Sequence, residues 1–379
     1  MKGNEEVAEK SSENGKPARA GFHPIDGLRD WWAVAPHWQR YGVYLALIIG
    51  ALILPAPAIG SFMSPESDWT TVLIFPVGTY ILLAIGLNIV VGHAGMLDLG
   101  FVAFFAIGAY TLAVMGTKYG WSFWGSLVLG IFLAAMSGVI LGAPTLRLRG
   151  DYLAIVTLGF GEIVRITATN TDGIGGARGI TNVPHPEPMF GTEFLLDPAP
   201  YYYLIVAAIV IAIVFSVRLH RSRVGRAWAA IREDEDAAEL MGVPTFKFKL
   251  LAFAIGAMLG GMAGVVYASK AVFIEPNNFP FILSATILAA VVLGGAGNLP
   301  GVILGAFLVA WLPERFRFLS EYRILIFGGV LVLMMALRPE GLLPSRQRKA
   351  ELREGTGGMG AMGAEVAGPD SEASAEVTK

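Results

Sequence analysis

Between residues 41 and 338 apolar residues run almost without a break, interrupted at intervals close to one bilayer thickness. A hydrocarbon core of about 30 Å is crossed by about 20 apolar residues in helical form. Backbone N–H and C=O groups find no water in lipid, so only helices and closed barrels span it. Barrel strands alternate apolar and polar residues with period two, and these segments do not. The chain is therefore expected to be an all-α integral membrane protein, a polytopic bundle of about ten helices. The segments fall at roughly 41–59, 70–91, 95–116, 122–143, 151–169, 201–217, 248–269, 282–296, 299–313 and 324–338. The eighth and ninth are short and meet at the glycine-rich turn 294–297, which makes them candidates for a re-entrant pair. Composition agrees, at 54% hydrophobic and 15% charged, where soluble domains carry about 25% charge.

Lys and Arg concentrate on cytoplasmic loops and so set the orientation. The segment after the sixth span carries Arg218, Arg221, Arg223, Arg226, Arg232, Lys247 and Lys249. Counting outward from there places both termini in the cytoplasm. The loop 170–200, with four acids against Arg178, falls outside. It has the makings of a receiving surface for a binding protein or of a plain cap. Residues 1–40 hold six Lys/Arg and six Asp/Glu and lack an apolar core with a cleavage site. They read as a cytoplasmic N-terminal tail rather than a signal peptide. Residues 339–379 turn to Gly, Ala, Glu and Ser, a composition that predicts a disordered cytoplasmic tail.

Several function classes drop out. There are no cysteines, and the five histidines are scattered without metal-ligand spacing, so neither a metal site nor a cofactor is expected. The net charge of −2 gives no reason to expect a nucleic acid partner. Gly355–Gly360 matches G-x-G-x-x-G, but follows no strand and opens no helix, as a dinucleotide site requires. No G-x-x-x-x-G-K-[ST] loop occurs, so ATP must be handled elsewhere if it is used.

The charged segment 218–249 is too long for a simple turn between membrane helices. Residues 226–241 are good helix formers, and Gly242 followed by Pro244 supplies a stop. One helix is therefore expected over 225–242. Ala237 and Ala238 present little side chain, so another surface can come close. An ordinary solvated helix is the plainer reading of the same residues.

Asp236-Ala237-Ala238, three residues, then Gly242 resembles the Glu-Ala-Ala-x-x-x-Gly coupling motif of ATP-binding cassette importer permeases, with Asp in place of Glu. The stretch GRAWAAIREDEDAAELMGV (225–243) resembles the branched-chain amino acid permeases of that class, LivM type. So do GLNIVVGHAGMLDLGFVAFFAIGAYT (86–111), LRLRGDYLAIVTLGFGEIVRI (146–166) and ILAAVVLGGAGNLPGVILGAFL (287–308). The similarity runs through 41–340 in order. It implies a permease domain over 41–338, with 218–249 as a cytoplasmic coupling loop. Gly225, Arg226, Asp236, Ala237, Ala238 and Gly242 would then dock on ATP-binding subunits. The other implied partners are a homologous second permease subunit, an extracytoplasmic substrate-binding protein and membrane lipid, in the cell membrane of a prokaryote. Related urea permeases read Leu-Ser-Leu-Gly-His where this chain has Leu97-Asp98-Leu99-Gly100-Phe101, and the aspartate favours amino acids. A urea or small-solute permease of the same family is the alternative. A stand-alone secondary transporter is a further one.

Charges inside membrane segments mark pathways or buried pairs. Glu162 and Arg165 are three apart in the fifth span, so they share one helix face and can pair. A pathway wall and a structural ion pair between helices are both open for them, and either way both charges are expected to face the protein interior rather than lipid. Asn88 and Asp98 invite the same two readings.

Overall fold

A computed structural model of the chain describes residues 68–146, 151–188 and 198–315, with 341–343 and a few isolated positions. The expected spans 41–59 and 324–338, both tails and Gly355–Gly360 lie outside the described residues or nearly so. The helices, in chain order, are α1 (Trp69–His93), α2 (Val102–Tyr119), α3 (Phe123–Thr145), α4 (Asp151–Asn170), α5 (Ala199–His220), α6 (Arg223–Glu233), α7 (Glu235–Leu240), α8 (Thr245–Ala271), α9 (Phe281–Gly294) and α10 (Leu299–Arg315). They belong to the second of two units, which begins at Pro55. The only strand-like pairing among the described residues is the antiparallel bridge between Ile180 and Ile274. Among the described residues seven helices are long and apolar enough to cross a membrane, α9 among them once the turn Pro276–Asn278 extends it to 19 residues. The chain is an all-α polytopic membrane protein.

Helices α1 and α8 form the centre, each 72% buried over its apolar span. Helix α8 packs most extensively against α3 and α2, and α1 is wrapped by α8, α10, α5 and α9. Small residues permit this closeness. A Cβ added at Gly108 of α2 would lie 2.1 Å from the Gly261 carbonyl oxygen of α8, and one at Gly264 would lie 2.1 Å from that of Phe105. Exposed Val128, Phe132 and Ile140 on α3 and Ile211 on α5 give outward faces suited to hydrocarbon. Helices α9 and α10 run antiparallel, with residues 341–343 against the turn between them: Leu342 N–H donates to Leu293 O at 2.8 Å.

Two expectations are corrected. The third span begins at Val102, not 95, because 94–101 is an irregular loop. Its backbone and the first N–H of α2 are met in part by side chains of neighbouring helices. Leu99 N–H donates to Thr157 Oγ1 at 3.0 Å and Val102 N–H to Ser284 Oγ at 2.9 Å. Irregular backbone at membrane depth requires such cover. The segment 225–242 is two helices rather than one. Asp234 takes an extended conformation (φ −154°, ψ 112°) that ends α6, and its carboxylate accepts the Ala237 N–H at 2.9 Å to cap α7. A capping aspartate competes with helix continuation in this way.

Candidate functional site

Helices α6 and α7 project from one end of the bundle and are propped on it. Ser222 caps α6, accepting the Val224 N–H at 3.1 Å. The buried face of α6 carries Gly225, Trp228 and Ile231. Gly225 packs on the end of α5, where a Cβ would lie 2.1 Å from His220 O. Trp228 is fully buried and donates from Nε1 to Phe248 O at 2.7 Å. Lys249 of α8, itself buried, pairs with Glu235 of α7. Gly242 stops α7 in the left-handed region (φ 84°), with Val243 N–H on Ala238 O at 3.0 Å and Gly242 N–H on Glu239 O at 2.9 Å. That is the paired-bond glycine cap.

The candidate docking residues therefore divide. Arg226, Asp236, Ala237 and Gly242 are exposed, whereas Gly225 and Ala238 are buried against the chain's own helices. The tip of α7 adds two residues that the motif did not single out. Leu240 is 89% exposed and Met241 85%. Two large apolar side chains so exposed at the end of a projecting helix are an informative exposure.

Beneath α6 lies a polar cluster. Asn88, fully buried, accepts the Gly297 N–H on Oδ1 at 2.8 Å and faces His93 Nε2 with its Nδ2 at 3.3 Å. His93 Nδ1 is 3.2 Å from His220 Nδ1, the rings edge-to-face at 4.7 Å between centroids. Arg232 of α6 donates from Nη1 to Gly92 O. The two glycine turns, 92–95 and 294–297, are thereby brought together. Asp98 is fully buried; its Oδ1 accepts the Gly100 N–H at 2.8 Å, and its Oδ2 has no hydrogen-bond partner among the described residues.

On α4, Arg165 meets Glu162 through Nε at 2.9 Å and Nη2 at 2.8 Å. The pair forms as the spacing predicts. Both side chains are about a third exposed (31% and 33%), and α4 is only 22% buried over its apolar span. Within this single chain the pair therefore faces out of the bundle, not into the interior expected for it. At the opposite end from α6, Ile180 N–H donates to Ile274 O at 2.8 Å and Val183 N–H to Val272 O at 3.1 Å, fastening the loop after α4 onto the end of α8. His185 Nδ1 lies 2.5 Å from Tyr201 OH. Burial, with Lys270 nearby, pushes the His185 imidazole below its usual range.

Residues 70–335 match the family described as branched-chain amino acid transport system / permease component. The chain belongs to this family. It is 44% identical over 299 residues to the high-affinity branched-chain amino acid transport system permease protein LivM of Escherichia coli K12, covering 73% of this chain and 70% of that one. The probable LivM permease of Methanocaldococcus jannaschii is 27% identical over 335 residues, 74% of this chain and 94% of the relative. The LivH permease of Escherichia coli K12 is 27% identical over 286 residues, 70% and 91% respectively. No solved structure matches. Among the described residues of this permease, no group of three or more His, Cys, Asp or Glu side chains is placed to hold a metal.

Sequence reasoning missed Arg232, Trp228 and the His93–His220 pair. Arg232 counted only as one loop charge among several. The histidines are 127 residues apart, and nothing local signals their meeting.

Proposed function

We propose that this permease is the translocating subunit of an ATP-driven importer of leucine, isoleucine and valine, and that α6 and α7 dock on a separate ATP-binding subunit. The α7 tip carries the reading. Ala237 offers a side-chain-poor surface, Leu240 and Met241 offer apolar anchors, and the Gly242 cap fixes where the helix stops. Trp228 and the Lys249–Glu235 pair brace the element against the bundle, so a push at the tip is delivered to α6 and α8. The names of the relatives supply the substrate class. The Lys/Arg asymmetry supplies the orientation, with the α6–α7 end cytoplasmic, both termini inside and the loop after α4 facing a substrate-binding protein.

The outward charged pair on α4 supports a second permease subunit there. A charge facing hydrocarbon costs roughly 2.5–3.5 kcal/mol on insertion scales, and the Glu162–Arg165 face is a third exposed in the single chain. A homologous partner packed on α4, with the substrate path along the seam, removes that exposure. The test is affinity purification of tagged permease co-expressed with its candidate ATPase. Recovery of the ATPase with wild type and its loss with Ala237→Trp is the expected result. Equal recovery with both removes α7 as the docking element.

A further inference from the structure

The cytoplasmic cluster joins the docking helices to the α4 face by a continuous series of contacts. Arg232 is the first link. Its guanidinium bonds Gly92 O, and its Cβ and Cγ lie against Gly95 (φ 73°), where an added Cβ would sit 2.9 Å from Arg232 Cγ and 3.3 Å from Arg232 Cβ. The turn is held from behind by Asn88. Because Asn88 Oδ1 accepts from Gly297, its Nδ2 must donate, so His93 Nε2 is an acceptor. A neutral His93 then carries its proton on Nδ1 and gives it to His220 Nδ1. One directed relay thus runs Gly297, Asn88, His93, His220, fixing the turn to α5 and to the second glycine turn. Downstream, Met96 N–H returns to Val90 O at 3.1 Å, and Leu99 N–H engages Thr157 of α4. Gly100 lies so close to α4 that a Cβ would be 1.8 Å from Thr157 O, and one at Gly161 would be 3.4 Å from Gly100 Cα. Glu162 is the next residue.

We propose that Arg232 is a positioning residue for transport. It makes the turn 92–95 move with α6, and the loop 96–101 passes that movement to α4 at Thr157–Gly161, beside the Glu162–Arg165 face. The inference rests on the reading of α6–α7 as the ATPase-docking element. The guanidinium suits the task because it reaches across to a backbone carbonyl from a helix that has no backbone bond to the turn. Rigid packing on Gly95 removes the slack that a long side chain otherwise has.

The experiment measures leucine transported per ATP hydrolysed in proteoliposomes holding the permease, its ATPase, the second permease subunit and the binding protein. Arg232→Gln is expected to keep ATPase binding and hydrolysis while the transport ratio falls by roughly tenfold, within the usual range of coupling energies. Arg232→Lys, which can still reach the carbonyl, is expected to recover part of the ratio. Arg223→Gln, on the exposed side of α6, is the control and keeps the wild-type ratio. A wild-type ratio in Arg232→Gln overturns the inference and leaves the docking reading intact. Loss of ATPase binding in Arg232→Gln also overturns it, since Arg232 would then belong to the docking surface. Failure of wild type to bind any ATPase overturns the docking reading itself.

Discussion

Glu162 and Arg165 lie 2.8 Å apart on α4, and removing them singly and together tests where that face points. At that separation the gross Coulomb attraction is about 1.5 kcal/mol in a water-like medium and about 6 kcal/mol at an effective dielectric of ~20. The side chains are 31% and 33% exposed, so the pair sits between these limits, and desolvation offsets part of the attraction. Glu162→Gln strands Arg165, and Arg165→Gln strands Glu162. A stranded charge in a dry seam or in lipid costs roughly 2.5–3.5 kcal/mol on insertion scales. Each single variant is therefore expected to lower the stability of the assembled complex by about 2–3 kcal/mol, and the double variant by under about 1 kcal/mol, because a lone buried charge is worse than none. Thermal unfolding of the complex in nanodiscs reads this, with leucine uptake measured in parallel and falling further in the singles than in the double. Equal losses in all three variants would refute the pairing. No loss in any of them would refute a second subunit covering this face.

Gly242→Pro and Ala237→Trp are each expected to abolish uptake while membrane insertion is unchanged, the first because proline can neither adopt the φ of 84° nor supply the N–H that bonds Glu239 O, the second by steric exclusion of the ATPase; uptake with insertion controls reads both. Gly108→Val is expected to destabilise the permease by about 1–3 kcal/mol through overpacking against α8, whereas Gly159→Val, with nothing within 4 Å in the chain itself, leaves the unfolding temperature of the permease alone unchanged. Single cysteines introduced at positions 15 and 355 are expected to resist labelling from outside intact cells; labelling of either one reverses the orientation.

Much of the fold was legible because lipid makes apolar length nearly sufficient. The expected segments 122–143 and 201–217 became Phe123–Thr145 and Ala199–His220, shifts of a turn or less. The third span failed at its start because Met96, Leu97, Leu99 and Phe101 are as apolar as helix residues. Only Gly95, Asp98 and Gly100 hinted that the backbone there is irregular. The break in 225–242 was hidden in the acidic run Glu233–Asp236, which reads equally as a charged helix face. Asp234, with Ala237 three residues on, was the cap signal to find. The Gly242 stop of α7 could be read locally, and so could the Glu162–Arg165 pair at i, i+3. The cluster beneath α6 could not. Asn88 and Gly297 are 209 residues apart and Arg232 and Gly92 are 140 apart, and only the tertiary fold brings them together.

The central claim is ATP-driven import of branched-chain amino acids, and radiolabelled leucine uptake into vesicles holding the complete complex tests it most directly. A mostly apolar pocket separates side chains differing by one methylene by only about 1–3 kcal/mol, so isoleucine and valine should compete with leucine. The account predicts saturable uptake that requires ATP and the binding protein and that urea does not inhibit. Leucine uptake persisting without ATP, or saturable urea transport that leucine cannot compete, would contradict it.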